Sequence, residues 1–296
     1  MTTLPAVVDV REVGPRDGLQ AEAPVPVDDR VRLIDAVVAA GVTHIEAVSF
    51  VSPKAVPAMA GAAQVMAQVA RPEGVRFVAL VPNVRGAEMA MASEVDELTV
   101  TISASPAYNE KNVRMSIEES LEAIAGICGV AGGAPVDGVV SCAFGSPYEG
   151  EIPVAEVVGL GERVLEAGAA SVTYADTTGM GTPRRVVELV TAAGTDIGFH
   201  FHDTRGTALV NAFAAMEAGV ARFDASVGGL GGSPFAAGAA GNLATEDFVA
   251  MLYDLGVETS IDLEAYLAAS TIAAQVVGHP VPARVATAGP RTRLAG

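Results

Sequence analysis

The sequence is poor in cysteine and in basic residues. Its two cysteines, Cys128 and Cys142, are too few for a disulfide framework, and neither lies in a CxxC or Cys/His metal pattern. Both are therefore expected to be small buried hydrophobes. The 18 lysines and arginines are outnumbered by 35 aspartates and glutamates, giving a net charge of −17. Nucleic acids and anionic membranes bind basic patches, so this balance argues against both, and a small molecule is the expected partner.

Long apolar runs and a basic leader are also lacking. No apolar stretch approaches the roughly 18 residues of a membrane span, and residues 1–5 lead into an apolar strand without a basic region. We therefore expect a cytoplasmic protein. No low-complexity tract or linker divides the 296 residues. The predicted organisation is one large domain over residues 1–258, followed by a C-terminal helix and tail over 259–296 that pack on or beside it.

Short β-branched runs alternate along the chain with longer stretches rich in Ala, Leu and Val that have helical periodicity. Eight such units predict a parallel sheet with crossover helices, closed into a (β/α)8 TIM barrel of the α/β class. The strands are expected near 7–13, 43–48, 75–81, 96–102, 136–142, 171–175, 197–201 and 223–227. The helices are expected near 27–40, 56–70, 84–92, 116–131, 153–167, 183–193, 206–218 and 243–255, with one more over 261–277.

Two of the four histidines, His200 and His202, lie two residues apart in an apolar segment. In a strand this spacing points both imidazoles to the same face, while Phe199 and Phe201 point to the other. A pair of converging imidazoles is half of a metal site, although buried histidines are also common as hydrogen-bonded structural residues. The spacing alone leaves both interpretations open.

Polar side chains accumulate at the predicted carboxyl ends of the strands, where TIM barrels build their active sites. Arg16, Asp17 and Gln20 follow the first strand, Glu46 ends the second and Asp176 ends the sixth. Charged groups buried there are costly unless they are paired or bind a metal. Asp17 together with the two histidines supplies the two imidazoles and one carboxylate that suit a divalent cation. The alternatives for Asp17 are an ion pair with Arg16 or a helix N-cap.

A glycine-rich segment, residues 228–241, follows the eighth strand and ends at Asn242. It is interpreted either as a flexible connection in which Asn242 caps the next helix, or as a lid that closes over substrate. In the second case the amide oxygen of Asn242 would be a fourth metal ligand. The spacing does not separate these two interpretations.

Five stretches of the sequence together resemble the 3-hydroxy-3-methylglutaryl-CoA (HMG-CoA) lyase family of metal-dependent TIM-barrel enzymes. The likeness runs from about residue 8 to residue 255, and its motifs are specific in combination. The stretches are Glu12-Val13-Gly14-Pro15-Arg16-Asp17-Gly18-Leu19-Gln20, Glu46-Ala47-Val48-Ser49-Phe50-Val51-Ser52-Pro53-Lys54, Asp176-Thr177-Thr178-Gly179, His200-Phe201-His202-Asp203-Thr204 and Gly241-Asn242-Leu243-Ala244-Thr245-Glu246-Asp247.

The resemblance implies roles for individual residues. Asp17, His200, His202 and Asn242 match the positions of the metal ligands, with Mg²⁺ or Mn²⁺ expected and Zn²⁺ also compatible with the donors. Arg16 matches the residue that steadies the enolate oxygen, and Glu46 and Asp176 match supporting carboxylates. The substrate-binding set comprises Arg16, Gln20, Lys111, Asn112 and Thr204, of which Lys111 and Asn112 lie in a stretch associated with the acyl-CoA side of the pocket.

The implied reaction is carbon–carbon cleavage of a 3-hydroxyacyl-CoA to acetyl-CoA and a keto acid, which for HMG-CoA is acetoacetate. The base stays open among Asp17, a water molecule and a group held by Glu46 or Asp176. An acyl-CoA is the implied partner, and a homodimer or higher homo-oligomer is expected. Leucine degradation is the implied pathway.

Two departures from the family pattern concern the substrate more than the chemistry. Ser233 stands where the family has a catalytic cysteine, and a hydroxyl is a far poorer acid than a thiol. Val139 stands where the family has a tyrosine. Ser233 is kept among the catalytic residues as a group that positions water or the enolate, and citramalyl-CoA or another branched 3-hydroxyacyl-CoA becomes an alternative substrate.

Two other functions are weighed against the lyase. A condensing synthase or aldolase could use the same barrel, but related synthases usually carry further domains, whereas here only about 40 residues follow the last repeat. A catalytically silent barrel that binds an acyl-CoA or a metal is conceivable without the cysteine. Arg16 argues against it, because a mere metal binder would not require this residue.

Overall fold

The computed structural model describes residues 4–232 and 241–293 and contains the predicted (β/α)8 barrel. Its eight parallel strands pair in chain order, and β8 closes the sheet by pairing with β1. The strands are β1 Asp9–Glu12, β2 His44–Ser49, β3 Arg76–Leu80, β4 Glu97–Ser103, β5 Val136–Ser141, β6 Ser171–Asp176, β7 Gly198–Phe201 and β8 Arg222–Ala225. Each strand lies within a residue or two of its predicted position.

Helices surround the barrel and return the chain from one strand to the next. They are α1 Val27–Ala39, α2 Ala62–Met66, α3 Val84–Ala92, α4 Pro106–Val113, α5 Ile117–Val130, α6 Val154–Glu166, α7 Pro183–Ala193, α8 Ala208–Glu217, α9 Thr245–Leu255, α10 Leu263–Val277 and α11 Arg284–Ala288. Among the described residues no helix has the length and apolar composition needed to cross a bilayer.

Three helices differ from the sequence-based expectation. The single helix expected near 56–70 is a 3-10 turn, Pro57–Met59, followed by the short α2, because Gly61 takes a left-handed conformation between them with φ at +80°. Helix α4 was not predicted because its eight residues are mostly polar, although Ser105 caps its first turn. Helix α11 lies in the tail that showed no periodicity.

The hydrophobic core lies between the strands and the helices, and the inside of the barrel is largely polar. Phe199 and Phe201 project outward from β7 and stack with their ring centroids 4.9 Å apart. Arg11, Asp137 and Asp224 instead point inward, where they form ion pairs across the barrel. The inward positions of these strands therefore hold charges where barrel interiors commonly hold branched apolar side chains.

Candidate active site at the mouth of the barrel

A single π-helical turn, Gly14–Gly18, places Arg16 and Asp17 at the carboxyl end of β1. The carbonyl oxygen of Val13 accepts hydrogen bonds from the backbone amides of Arg16, Asp17 and Gly18, at 3.1, 2.7 and 3.2 Å. Such π-helical turns are rare and are frequent at functional sites. Here the turn directs two consecutive charged side chains toward the barrel axis.

Asp17, His200 and His202 form a compact cluster that could hold a metal ion. One donor atom from each lies within 4.8 Å of the others. The Nε2 atoms of the two histidines are 3.2 Å apart, and Nε2 of His200 is 3.9 Å from Oδ2 of Asp17. Both imidazoles are buried at the end of β7. The structure thus brings together, from the ends of β1 and β7, three residues that the sequence had suggested as ligands.

Asn242 lies beside this cluster, and it does not cap a helix. Helix α9 begins at Thr245 with Ala244 at its N-cap, so the capping interpretation of Asn242 was wrong. The side-chain amide of Asn242 donates to Oδ2 of Asp17 at 2.8 Å and to the carbonyl oxygen of Leu230 at 3.0 Å. Its Oδ1 atom is buried, and among the described residues no group donates a hydrogen bond to it.

These donors fit a divalent cation. Two imidazole nitrogens, a carboxylate and a buried amide oxygen without a donor are the groups that bind Mg²⁺, Mn²⁺ or Zn²⁺. A buried carbonyl oxygen without a partner costs free energy, and coordination would remove that cost. Oδ1 of Asn242 is the observation on which this fit depends.

Gly231 approaches the cluster so closely that a larger residue would not fit. Its φ is +122°, and a Cβ atom there would lie 2.5 Å from Nδ2 of Asn242 and 3.4 Å from Oδ2 of Asp17. The glycine therefore allows the backbone to pass directly beside the proposed ligands.

Arg16 bridges Asp17 and Glu46. Its Nε donates to Glu46 at 2.5 Å, and its Nη1 donates to Oδ1 of Asp17 at 2.6 Å. The ion pair between Arg16 and Asp17, which the sequence offered as an alternative to metal binding, therefore exists alongside the histidine cluster. Oδ1 of Asp17 faces Arg16 and Oδ2 faces His200. Burial raises the pKa of Asp17, but the charges of Arg16 and then of the histidines outweigh burial and lower the pKa to about 2. Asp17 is thus ionised at neutral pH.

Asp176 anchors a loop at the end of β6. Its Oδ1 accepts hydrogen bonds from the backbone amides of Met180 and Gly181, at 2.8 and 2.9 Å. Burial raises its pKa to about 7, and these two amides offset only part of that effect. The adjoining loop is tied to the one after β7, because Arg205 donates to the carbonyl oxygens of Thr178 and Gly179.

The other residues suggested by the sequence are more scattered. Gln20 is half-buried just after the π-helical turn, and Thr204 is half-buried beside Gly179. Lys111 and Asn112 lie on exposed parts of α4, with Nζ of Lys111 3.8 Å from the ring centroid of Tyr148. Ser233 lies outside the described residues. Cys142 is fully buried as expected, whereas Cys128 is only partly buried.

Sequence reasoning missed Glu12, which joins four parts of the chain near the site. Its carboxylate accepts hydrogen bonds from the amides of Gly14 and Val227 at 2.7 and 2.8 Å, from the hydroxyl of Thr245 at 2.7 Å, and from the hydroxyl of Tyr266. Helix α10, which carries Tyr266, therefore contacts the base of the π-helical turn. The charge of Glu12 inside the predicted strand 7–13, between other buried positions, was the available signal.

Asp224 and Arg11 were also missed, although both lie within predicted strands. Nδ1 of His200 is 3.1 Å from Oδ2 of Asp224, and Arg11 donates to both oxygens of Asp224. Burial raises the pKa of Asp224, but the charge of Arg11 and the bond to His200 outweigh burial and hold that pKa below its usual range. Charged residues at every second position of buried strands were the signal that could have revealed this pair.

A comparison with family models matches residues 7–272 to the HMGL-like family. The chain belongs to the HMGL-like family. The match includes all eight strands and the residues of the mouth described above. The family and the curated relatives described next together show that the chain is an enzyme, an oxo-acid lyase that acts on a carbon–carbon bond.

Relatives within the HMGL-like family match over almost the whole chain. Mitochondrial hydroxymethylglutaryl-CoA lyase of Mus musculus is 42% identical over 97% of this chain and 91% of its own length. The 3-hydroxy-3-isohexenylglutaryl-CoA/hydroxy-methylglutaryl-CoA lyase of Pseudomonas aeruginosa is 41% identical over 96% of this chain and 98% of its own.

Solved HMGL-like structures have the same fold. The HMG-CoA lyase of Acinetobacter baumannii in complex with coenzyme A and 3-methylmalate superposes with a TM-score of 0.94 and is 40% identical, with 100% of this chain and 99% of that one covered. Hydroxymethylglutaryl-CoA lyase from Pseudomonas aeruginosa gives a TM-score of 0.93 at 41% identity, over 96% of this chain and 98% of that one. These matches confirm both the fold and the family suggested by the sequence motifs.

Proposed function

We propose that this chain is a divalent-metal-dependent lyase that cleaves HMG-CoA to acetyl-CoA and acetoacetate. The observation that supports this most directly is the position of Arg16 beside the Asp17–His200–His202 cluster. A group that binds a cation and a group that stabilises a new negative charge then lie next to each other. That pairing is what the cleavage of a 3-hydroxyacyl thioester requires.

Asp17, His200, His202 and Asn242 would hold the cation, with Mg²⁺ or Mn²⁺ preferred by the oxygen donors and Zn²⁺ compatible with the imidazoles. When bound, the cation supplies Lewis-acid polarisation of the substrate's 3-hydroxyl and carboxylate oxygens. The protein side chains set the direction from which those oxygens approach. The resemblance assigns this ligand set, and the fit of the donors supports it.

The bond to be broken joins C2 and C3 of the substrate. The 3-hydroxyl gives its proton to a base, its oxygen becomes the ketone of acetoacetate, and the electron pair of the broken bond moves to the thioester as an enolate. The enolate carbon then takes up a proton, which gives acetyl-CoA. Atoms and charge balance without any further reactant.

Arg16 would stabilise the enolate oxygen. Its guanidinium carries five N–H groups. Glu46 pairs with Nε and Nη2 and Asp17 pairs with Nη1, and the remaining N–H groups are available to the substrate. Because Glu46 pairs with the Nε and Nη2 atoms of Arg16, the guanidinium need not reorganise as the enolate forms. Such preorganisation is the main source of electrostatic catalysis. Glu46 is thus a positioning residue for Arg16.

Asp17, Asp176 and Ser233 are the candidates for the proton transfers. Asp17 is ionised and lies at the cluster, but its low pKa makes it a weak base. Asp176 has a pKa near neutrality, and its loop contacts make it a residue that shapes the rim of the site. Ser233 would position a water molecule or the enolate.

Val139 supports a second candidate substrate, a 3-hydroxyacyl-CoA with a larger group at C3. Asp137 contacts Arg11 inside the barrel, so Val139, two residues later on β5, also faces inward. It is only partly buried, whereas its outward neighbour Val140 is fully buried. The family tyrosine would fill more of this space. The Pseudomonas aeruginosa relative, a lyase of 3-hydroxy-3-isohexenylglutaryl-CoA, makes this candidate worth testing.

A thioester panel with and without metal tests the function. The purified protein, stripped with a chelator, is incubated with HMG-CoA, citramalyl-CoA or 3-hydroxy-3-isohexenylglutaryl-CoA, with Mg²⁺, Mn²⁺, Zn²⁺ or no metal, and acetyl-CoA release is followed. We expect release from HMG-CoA that needs added metal. Preferential release from a larger substrate would favour the second candidate, and no release from any thioester would contradict both.

A further inference from the structure

We propose that Asp224, held in place by Arg11, is a positioning residue that fixes the tautomer and orientation of His200. The inference rests on the proposed metal site, because it concerns the nitrogen with which His200 would bind the cation. It assigns a task to charged residues inside the barrel that the motifs of the mouth do not include.

Asp224 contacts the nitrogen of His200 that faces away from the cluster. Nδ1 of His200 is 3.1 Å from Oδ2 of Asp224, while Nε2 faces His202 and Asp17. The two residues are direct partners in the pairing of β7 with β8, so their side chains point into the barrel at the same level. Since an ionised carboxylate only accepts hydrogen bonds, Nδ1 must carry the proton. The lone pair is then left on Nε2, the atom at the cluster.

Arg11 fixes the carboxylate of Asp224 in turn. Its Nε donates to Oδ1 of Asp224 at 2.8 Å and its Nη2 donates to Oδ2 at 2.9 Å, so the planar fork of the guanidinium matches the carboxylate. Arg11 and Asp224 are also direct partners in the pairing of β1 with β8. The oxygen that accepts from His200 therefore has a fixed direction.

The opposite side of the barrel anchors Arg11. Its Nη1 donates to Asp137 on β5 at 2.9 Å, whereas Glu97 on β4 is farther away, at 3.6 Å. Asp137 accepts two further hydrogen bonds, from the hydroxyls of Ser171 and Thr173 on β6. His200 is thus linked through Asp224 and Arg11 to strands on the far wall, and all of these charged groups are buried.

This arrangement is of the kind that orients metal-binding histidines. An imidazole that ligates through one nitrogen usually donates from the other to a carboxylate or carbonyl, and loss of that acceptor commonly weakens metal binding ten- to a hundredfold. In this protein the acceptor is itself locked by a bidentate arginine, so neither the ring nor its partner has freedom to turn.

The wild-type protein tests the tautomer without any substitution. Long-range ¹⁵N–¹H spectra of histidine-labelled protein loaded with Mg²⁺ distinguish a protonated Nδ1 from a protonated Nε2 in each of the four histidines. We expect His200 to carry its proton on Nδ1. A His200 protonated on Nε2 would overturn the proposal. Absence of Mg²⁺ and Mn²⁺ binding to the wild-type protein would overturn the metal site itself and this proposal with it.

Asp224→Asn tests the positioning role directly. The introduced amide has one acceptor oxygen, which the donors of Arg11 attract, so its NH₂ group faces His200 and favours a proton on Nε2. We expect the Kd of the stripped protein for Mn²⁺, measured by electron paramagnetic resonance, to rise ten- to a hundredfold. Arg11→Lys keeps the charge but loses the fork, and should raise the Kd about tenfold.

Glu97→Gln is the matched control. Glu97 is as buried as Asp224, at 6% exposure each, and also faces Arg11, but its nearest histidine is His44 rather than His200. We expect its Kd for Mn²⁺ to stay within about threefold of the wild type. Equal weakening in Asp224→Asn and Glu97→Gln would mean a general loss of structure and would overturn the proposal. An unchanged Kd and tautomer in Asp224→Asn would do the same.

Discussion

The Nε2 atoms of His200 and His202 lie 3.2 Å apart, with Oδ2 of Asp17 3.9 Å from the first of them. Two imidazole nitrogens at this distance either share a proton or share a cation. Asn242 donates to that same oxygen of Asp17, and its buried Oδ1, which accepts no hydrogen bond within the part of the chain that the structure describes, favours the cation.

Removing a proposed ligand should therefore remove the metal. Asp17→Ala or His200→Ala should lower the affinity of the protein for Mg²⁺ or Mn²⁺ at least a hundredfold, because each substitution deletes one of very few ligands. Metal content after gel filtration checks this. His279→Ala is the matched control, since His279 is exposed and, among residues 4–232 and 241–293, bonds only to Glu22 and its own chain neighbour. Stoichiometric metal in both ligand variants would refute the site.

Arg16→Lys should separate catalysis from metal binding. Lysine keeps a positive charge near Glu46 but cannot reproduce the planar fork, so kcat should fall roughly 10²–10³-fold, as when one preorganised donor to an oxyanion is lost. The Kd for Mn²⁺ should change little. Steady-state kinetics on HMG-CoA and a parallel metal titration provide both values. An unchanged kcat would mean that Arg16 does not act on the enolate.

Gly231→Ala should disturb the site through the backbone. The new Cβ would lie 2.5 Å from Nδ2 of Asn242 at a φ of +122°, so Asn242 must move and metal affinity should drop. The control is Gly129→Ala, in α5, where a Cβ meets nothing within 4 Å and should raise stability by about 0.5–1 kcal/mol. Metal titration and thermal unfolding compare the two. Wild-type affinity in Gly231→Ala would argue against Asn242 as a ligand.

Glu246→Gln should remove a pH dependence of folding stability. Burial raises the pKa of Glu246 to about 7, only partly offset by its hydrogen bonds to neighbours such as the amide of Gly228. Between pH 4.5 and 7 the unfolded chain releases this proton and the folded chain keeps it, so stability falls as pH rises through that window. The loss is on the order of 3 kcal/mol. Glutamine should flatten the profile, measured by urea unfolding from pH 4.5 to 8.

The control for that profile is Glu122→Gln, which changes an exposed side chain of α5 by the same chemistry. It should leave the slope as it is in the wild type. A wild-type slope in Glu246→Gln would show that another group is responsible.

Ser233→Cys should raise turnover of HMG-CoA if the missing thiol limits the rate. A thiol is several pKa units more acidic than a serine hydroxyl and can shuttle a proton to the enolate. We expect kcat to increase and the Kd for metal to stay constant. The control is Ser233→Ala, which introduces no acid and should not exceed the wild type. Unchanged turnover in Ser233→Cys would show that the absence of a thiol does not limit the rate.

The repeat pattern predicted the fold well because short β-branched runs alternate regularly with longer stretches that have helical periodicity. The site was predicted in part, since His200 and His202 follow from their spacing and Asp17 from its place after the first strand. The role of Asn242 could not be decided from sequence. Whether its side chain caps α9 or lies beside the Asp17–His200–His202 cluster depends on the backbone conformation of residues far from it in the chain. Asp224 was passed over because its partners, Arg11 and His200, are distant in the chain and become neighbours only when the barrel closes.

The charged interior described above also has a consequence for how the barrel assembles. A parallel sheet of apolar strands offers many nearly equivalent alignments, because a shift by two residues keeps the same side chains inward. Here such a slip of β8 would separate Asp224 from both Arg11 and His200, leaving several charges stranded in a medium of low dielectric. The ion pairs inside the barrel thus favour a single register of β8 against β1 and β7. The same register places the residues of the catalytic mouth next to each other.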